Sequence, residues 1–274
     1  MHQRSALSAK DPLLTINDPP PCTILNPASA SPLLLICDHA SNFIPPHLHG
    51  LGLSATQLND HIAWDSGSAD LVQLISDRLE CRAVLANYSR LLIDVNRDPT
   101  LNESSLIPQQ SDITTIPGNQ DLSPAQRHER VLRISDRYHA EIERQLDALT
   151  AYTPAPMLFS IHTFTPALQG NGQPRPWHAG MLWNADPRIA KPLMAYLQRH
   201  EHLLIGDNQP YSGREFAYTI DRHGHDRGFP NCAIEIRQDL LQNHESCLWW
   251  ADILSQGLSE ILKQPQLHQV KMFE

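Results

Sequence analysis

The 274-residue chain has no apolar run approaching the ~18 residues that a membrane-spanning helix needs, and its opening MHQRSALSAKDPLL lacks the apolar core of a secretory signal. It is short of cations, with 21 Lys and Arg against 30 Asp and Glu and a formal net charge of −9. That balance argues against the clustered basic surface that nucleic acid or an anionic membrane requires. A small anionic substrate remains compatible, because a local pair of arginines overrides the global field. Cysteine is scarce and unpatterned. Cys22, Cys37, Cys81, Cys232 and Cys247 show no CxxC spacing, and their odd count points to reduced, mostly buried thiols and a cytoplasmic protein. There is no glycine-rich phosphate loop and no GxSxG elbow, and Cys37 follows an apolar strand, where thiols are inert.

What is present is an ordinary globular balance, 41% hydrophobic and 19% charged, and an unusual 15 histidines. Residues 1–31, rich in Pro and Ser and without period, read as an N-terminal arm; 32–274 read as one domain. Strands are expected at 33–36, 82–86, 89–95 (SRLLIDV), 157–164, 178–184, 203–206 and 231–238. Helices are expected from Ser66, at 187–200 and at 248–263. A further helix of about seven turns begins at the capping box of Ser123 and Gln126. Residues 98–122 form a long irregular connection. Alternating strands and helices predict an α/β/α sandwich around a mixed, mostly parallel sheet.

Polar residues interrupt or end the apolar strands in four places: Asp38-His39, IDVNRDP (93–99), SIHTFTP (160–166) and IEIRQD (234–239). Such residues lose solvation unless paired or bound to a metal, and the carboxyl edge of an open sheet is where ligands bind. His39 and His162 suit a catalytic zinc, which takes about three protein ligands. Asp38, Asn42 and Asp65 compete for the third place, and Asp65 is preferred, although an acid at that point also suits a helix start. Glu235, flanked by Ala233, Ile234 and Ile236, reads either as a general base of raised pKa or as the ion-pair partner of Arg237. Asn96 and Arg97 match a substrate carboxylate, with Asp94 or Asp98 as the internal alternative partners of Arg97. Arg90 is a second cation for substrate or for the oxyanion of an attacked amide. His223, in DRHGHDRG, is carried as an accessory polar group, and Arg237 as a further substrate contact. His128, His139 and His200 fall on helices and read as surface residues.

From Leu33 to Leu262 the ordered segments CDHASNFIP, HIAWDSG, YSRLLIDVNR, IPGN, SIHTFTP, RPWHAG, GDNQPYSG, YTIDRHG and IEIRQDL resemble the N-formylglutamate amidohydrolase family, in its predicted amidohydrolase branch. That family is similar to the zinc carboxypeptidases and aspartoacylases, which implies a zinc-carboxypeptidase-like (phosphorylase/hydrolase-like) fold. It also implies one Zn2+ per chain on His39 and His162, a carboxylate-binding DVNR run (94–97) and Glu235 as activator of water. The implied activity is hydrolysis of a linear amide in a small carboxylate-bearing molecule such as N-formyl-L-glutamate. A metallo-exopeptidase or a deacylase of larger acyl groups, and a non-catalytic binding relative, are the alternatives. Two departures mark this chain. Asp38 stands where the family usually has Glu, and Asn42 occupies the place of the HxxE carboxylate ligand, which is why Asp65 enters as third ligand and Asp38 as the residue that orients or tunes the site.

Overall fold

The computed structural model describes residues 12–100, 103–168, 170, 172–215 and 217–274. The first half of the chain runs β1 (Cys22–Leu25), β2 (Leu33–Cys37), α1 (Ala55–Leu58), α2 (Ser68–Leu79), β3 (Arg82–Ala86), α3 (Glu103–Leu106), β4 (Gln110–Ser111) and β5 (Thr114–Thr115). It continues through α4 (Pro124–Arg130) and α5 (Asp136–Leu149) to β6 (Met157–Phe164). The remainder is β7 (Ala179–Leu182), α6 (Pro187–Leu197), β8 (Ile205–Asp207), α7 (Tyr218–His223), β9 (Asn231–Arg237) and α8 (His244–Leu262). Seven strands form one sheet in the order β1-β3-β2-β6-β9-β7-β8, and β4 and β5 form a small separate ribbon. The inner pairs β3/β2, β2/β6 and β6/β9 are parallel, as is β7/β8, whereas β1/β3 and β7/β9 are antiparallel. This is an α/β fold with a mixed sheet flanked by helices.

Alternation along the strands sorts the core into two layers. Leu33, Leu35, Met157, Phe159, Ile161, Cys232, Ile234 and Ile236 face α2, α6 and α8. Leu34, Ile36, Val84, Leu158 and Ala233 face α5, α7 and the irregular segments. Because its inner strands are covered on both faces, β2 reads as an unbroken apolar run rather than an alternating one. The site grows from the second face.

Two expectations need correcting, and a third is met with an added detail. Within the stretch read as an arm, Cys22–Leu25 pair with β3 as an edge strand, while residues 1–11 lie outside the described residues. SRLLIDV (89–95) is no strand. It is a buried chain of tight turns whose polar groups are met locally, with Leu92 and Ile93 N–H donating to the Ser89 carbonyl. The Leu91 and Leu92 carbonyls accept from the side chains of Asn119 and Arg130. Apolar character here reports burial, and the backbone bonds go to tight turns, neighbouring loops and side chains instead of a sheet. Finally, the long helix from Ser123 contains a π-helical turn, Val131–Ser135, between α4 and α5. Its capping box is formed as expected. Among the described residues, no helix is long and apolar enough to cross a membrane.

Candidate metal centre and active-site cavity

In the parallel β6/β9 pair, His162 lies directly across from Glu235. Both side chains fall on the same face, so the distance between them is fixed by strand spacing. β2 stops at Cys37 beside them, and Asp38 and His39 enter the site from its carboxyl end. Asp65 comes from the turn ahead of α2. That helix is capped by Gly67 at φ +83° with no side-chain cap, and a Cβ there would strike Leu241. The Asp65 carboxylate is therefore not spent on the helix end and turns into the site.

His39 Nε2 lies 2.7 Å from Asp94 Oδ1, and His162 Nε2 lies 2.9 Å from Asp38 Oδ2. Carboxylates only accept, so each ring donates through Nε2. By the same rule His162 Nδ1, beside Asp65, also carries a proton in the metal-free protein, where burial is outweighed by Asp38 and Asp65 and the pKa is raised well above the usual imidazole value. A cation that displaces this proton finds both Nδ1 atoms as ligands. The two Nδ1 atoms face each other at 3.2 Å, with Asp65 Oδ2 at 2.8 Å from His162 Nδ1 and 3.4 Å from His39 Nδ1. His39, Asp65 and His162 are all buried and offer ligand atoms within 4.8 Å of one another. In the metal-free protein the His162 proton lies among these atoms, and a cation in its place meets all three ligand atoms at once. Two imidazoles and one carboxylate, each ring backed by a further carboxylate, is a donor set that fits a catalytic zinc.

The electrostatics agree. Burial disfavours the charged form of Asp38, but the hydrogen bond and charge of His162, with that of His39, outweigh it and hold the acid at about 2. Asp65 and Asp94 are likewise kept below the usual carboxylate range despite burial, by His39, His162 and Arg90 around Asp65 and by His39, Arg90 and Arg97 around Asp94. Glu235 behaves oppositely. Burial and the nearby charge of Asp65 push it up to about 7, against the pull of His162 and Arg90. Its Oε2 is buried and has no hydrogen-bond partner.

A cavity of about 150 Å³ opens over these groups, lined by His39, His162 and Glu235 together with Arg90, Asn96 and Arg97. Asn96 Oδ1 accepts from Thr219 N–H at 3.0 Å, which leaves Nδ2 as its donor end. Arg90 reaches Asp65 and Asp94 at 3.2 Å each. Tyr211, Phe164, His61, Thr163 and Thr165 complete the wall; they lie in the segments that carry the family resemblance, although nothing in their own spacing singles them out as site residues. Tyr211 is carried by a loop whose Gln209 carbonyl lies against Gly180, where any Cβ would collide with it.

Other expected residues lie elsewhere. Asn42 donates to the Leu58 carbonyl (2.9 Å) and Asn59 Oδ1 (3.0 Å), and does not join the ligand cluster. Arg237 does not pair with Glu235 and does not line the cavity. It bonds Asp239 at 2.7 Å and donates to the carbonyls of Arg175 and Trp177, at the strand end beyond Glu235. Asp98 caps Thr100. Asp94 lies 3.9 Å from Arg97 but gives its closest contact to His39.

His223 lies on a short helix, not in a solvated loop, and stacks on His139 behind the site (ring centroids 5.2 Å apart). His139 is itself buried rather than on the surface. Its Nε2 donates to the Val95 carbonyl at 2.9 Å, so its Nδ1 must accept from His223 Nε2 at 3.0 Å. Burial lowers both, His139 to about 4 and His223 to about 3. The acidic layer is anchored on this side by Tyr138, whose hydroxyl donates to Asp38 Oδ1 at 2.9 Å.

Comparison with known proteins agrees with this geometry. Among solved structures, the chain resembles a gene product of Agrobacterium tumefaciens at 30% identity and TM-score 0.84, covering 91% of this chain and 98% of that one. It shares its fold with the N-formylglutamate amidohydrolase of Ralstonia eutropha at 18% identity and TM-score 0.67, covering 89% and 97%. No curated protein matches. Residues 31–242 match the family described as FGase, N-formylglutamate amidohydrolase, and that span holds every residue of the cluster and cavity. The chain belongs to the N-formylglutamate amidohydrolase family.

Proposed function

We propose that the protein hydrolyses the C–N bond of a linear amide in a small carboxylate-bearing molecule, N-formyl-L-glutamate or a related N-acyl amino acid. The observation that carries this reading is Glu235, a buried carboxylate with an unpartnered oxygen in the same cavity as three convergent ligand atoms. A zinc ion held by His39, Asp65 and His162 would supply Lewis acidity and lower the pKa of a water. Glu235, raised to about 7, is matched to take a proton from water near neutral pH. The water oxygen adds to the acyl carbon, the C–N bond breaks, and Glu235 returns the proton to the leaving nitrogen. Asp38 and Asp94 hold the two imidazoles in one tautomer. Asn96 and Arg97 grip the substrate carboxylate, so binding energy holds the amide in line with the attacking water.

The cavity of about 150 Å³ favours a small acyl group over the larger ones of a deacylase or metallo-exopeptidase. The case for a non-catalytic binding relative rests on the shortened acid at Asp38, which still reaches His162 at 2.9 Å. We read the sheet, with its ligands at the carboxyl ends of parallel strands, as zinc-carboxypeptidase-like, and the five unpaired cysteines as fitting the cytoplasm. The test is elemental analysis for zinc in wild type and His162→Ala, followed by turnover of N-formyl and N-acetyl amino acids. About one zinc per chain, lost in the variant, with hydrolysis of an N-formyl substrate, supports the reading. A wild-type protein that takes up no zinc on add-back refutes it.

A further inference from the structure

Arg90 sits where a substrate-binding or oxyanion-stabilising cation is expected, yet its guanidinium is already engaged. Its backbone is pinned to the segment leading into Asp65, with Arg90 N–H and Ser89 Oγ both donating to the Ala63 carbonyl (3.3 and 2.8 Å). From there Nη1 donates to Asp65 Oδ1 and Nη2 to Asp94 Oδ2, at 3.2 Å each. Both carboxylates are thereby divided. Asp65 keeps Oδ2 for His162 Nδ1 (2.8 Å) and Thr163 N–H (3.2 Å), while Asp94 keeps Oδ1 for His39 Nε2 (2.7 Å) and Asn96 N–H (3.0 Å).

We propose that Arg90 is a positioning residue for the metal site: it clamps Asp65 and Asp94 so that each presents a single oxygen inward, and it does not serve as a substrate contact. The planar fork suits this task, since its two terminal nitrogens are held at a fixed separation and each meets a different acid. An ammonium is a point charge and holds only one of the two. Without the fork, the two carboxylates repel one another. Asp65 is then free to turn its second oxygen to the ligand cluster, and the His39 ring loses the acid that fixes its tautomer. The clamp rests on the reading of His39, Asp65 and His162 as the zinc ligands.

Zinc affinity of wild type, Arg90→Gln, Arg90→Lys, Asp94→Asn and the Arg90→Gln/Asp94→Asn double variant, measured by competition with a chromophoric chelator, tests the proposal. KM of the zinc-saturated proteins and thermal midpoints of the metal-free ones are recorded alongside. Arg90→Gln is expected to lose roughly ten- to a hundred-fold in zinc affinity, with KM within about twofold of wild type. The double variant should lose less than the product of the single losses, because Arg90 acts partly through Asp94. Where a low thermal midpoint shows that Arg90→Gln does not fold, Arg90→Lys is read by the same criteria. Unchanged zinc affinity at position 90, or a raised KM with zinc affinity retained, overturns the clamp while leaving the zinc site intact. A wild type that binds no zinc overturns both readings.

Discussion

Replacing His223 with glutamine isolates the buried histidine pair behind the site. The pair is neutral in the folded protein, because protonating His139 Nδ1 would set one N–H against another across 3.0 Å. Burial places the folded values at about 4 for His139 and about 3 for His223, against 6.5 for an unperturbed histidine. As pH falls below about 6.5 the unfolded chain takes up a proton at each position first, and the folded one does not. The stability contributed by each neutral ring is thus complete above pH 6.5 and is lost as pH falls toward 4 and 3. At pH 5, about 1.5 pH units below the unfolded value, the loss is about 2 kcal/mol per histidine. Both side chains are buried, so solvent screening does not dilute it. Glu235 works with the opposite sign, since a carboxyl raised to about 7 gains stability as pH falls from 7 to 4.5. The difference between variants is accordingly the quantity to read. The introduced glutamine retains an amide N–H for His139 and cannot charge. Urea unfolding of metal-free wild type and His223→Gln at pH 7.5 and pH 5 should show wild type losing ~2 kcal/mol more than the variant. With m of about 2–3 kcal/mol/M that is roughly 0.7–1 M in midpoint. Equal losses in the two proteins would refute the assignment of a neutral, mutually bonded pair.

Glu235→Gln should lower kcat about 10²- to 10⁴-fold with zinc still bound and KM little changed, measured by steady-state kinetics and metal analysis. The acid limb of kcat/KM in wild type should fall with a slope of one at or below about pH 7, and it should be absent from the residual rate of that variant. Arg97→Lys should raise KM for an N-acyl amino acid about tenfold or more, through loss of the bidentate grip. The same change should matter far less for the corresponding amino-acid amide, and an equal loss on both substrates would remove Arg97 from the carboxylate site. Gly180→Ala pushes a methyl into the Gln209 carbonyl and should destabilise the fold by about 1–3 kcal/mol while displacing Tyr211, seen as a lower thermal midpoint and a raised KM.

Much of the site is legible in the sequence because strands carry their side chains in strict alternation. His162 and Glu235 stand out as polar breaks in apolar runs, and the sheet register then brings them side by side. Asp65 is readable only as a choice among three, since nothing in HIAWDSG tells whether an acid caps its helix or leaves it. That depends on Gly67 and on how Leu241 packs against it. Asp94 shows sequence reasoning only one of its neighbours: the local pairing with Arg97 is met at 3.9 Å, whereas its shorter bond to His39 spans 55 positions. Arg237 and Asn42 carry suitable chemistry, but the neighbours at the end of β9 and in the loop after β2 absorb it. His139 does carry a signal that its reading as a surface residue overlooks. It lies three and seven residues before Ile142 and Leu146, on the buried stripe of its own helix. SRLLIDV offers no such signal, because a buried turn and a buried strand have the same composition.

The π-helical turn at Val131–Ser135 sets the rotational phase of everything after it. One added residue in a helix advances the following side chains by about 100° around the axis. Upstream of the turn, Arg130 is aimed at the Leu92 carbonyl and Asn119; downstream, Tyr138 is aimed at Asp38 and His139 at Val95. A regular α-helix through the same span could serve one of these targets or the other, but not both. A homologue lacking one residue here would have to surrender either the brace on the 89–95 turns or the hydroxyl behind Asp38, so the length of this segment is bound to the acid it supports.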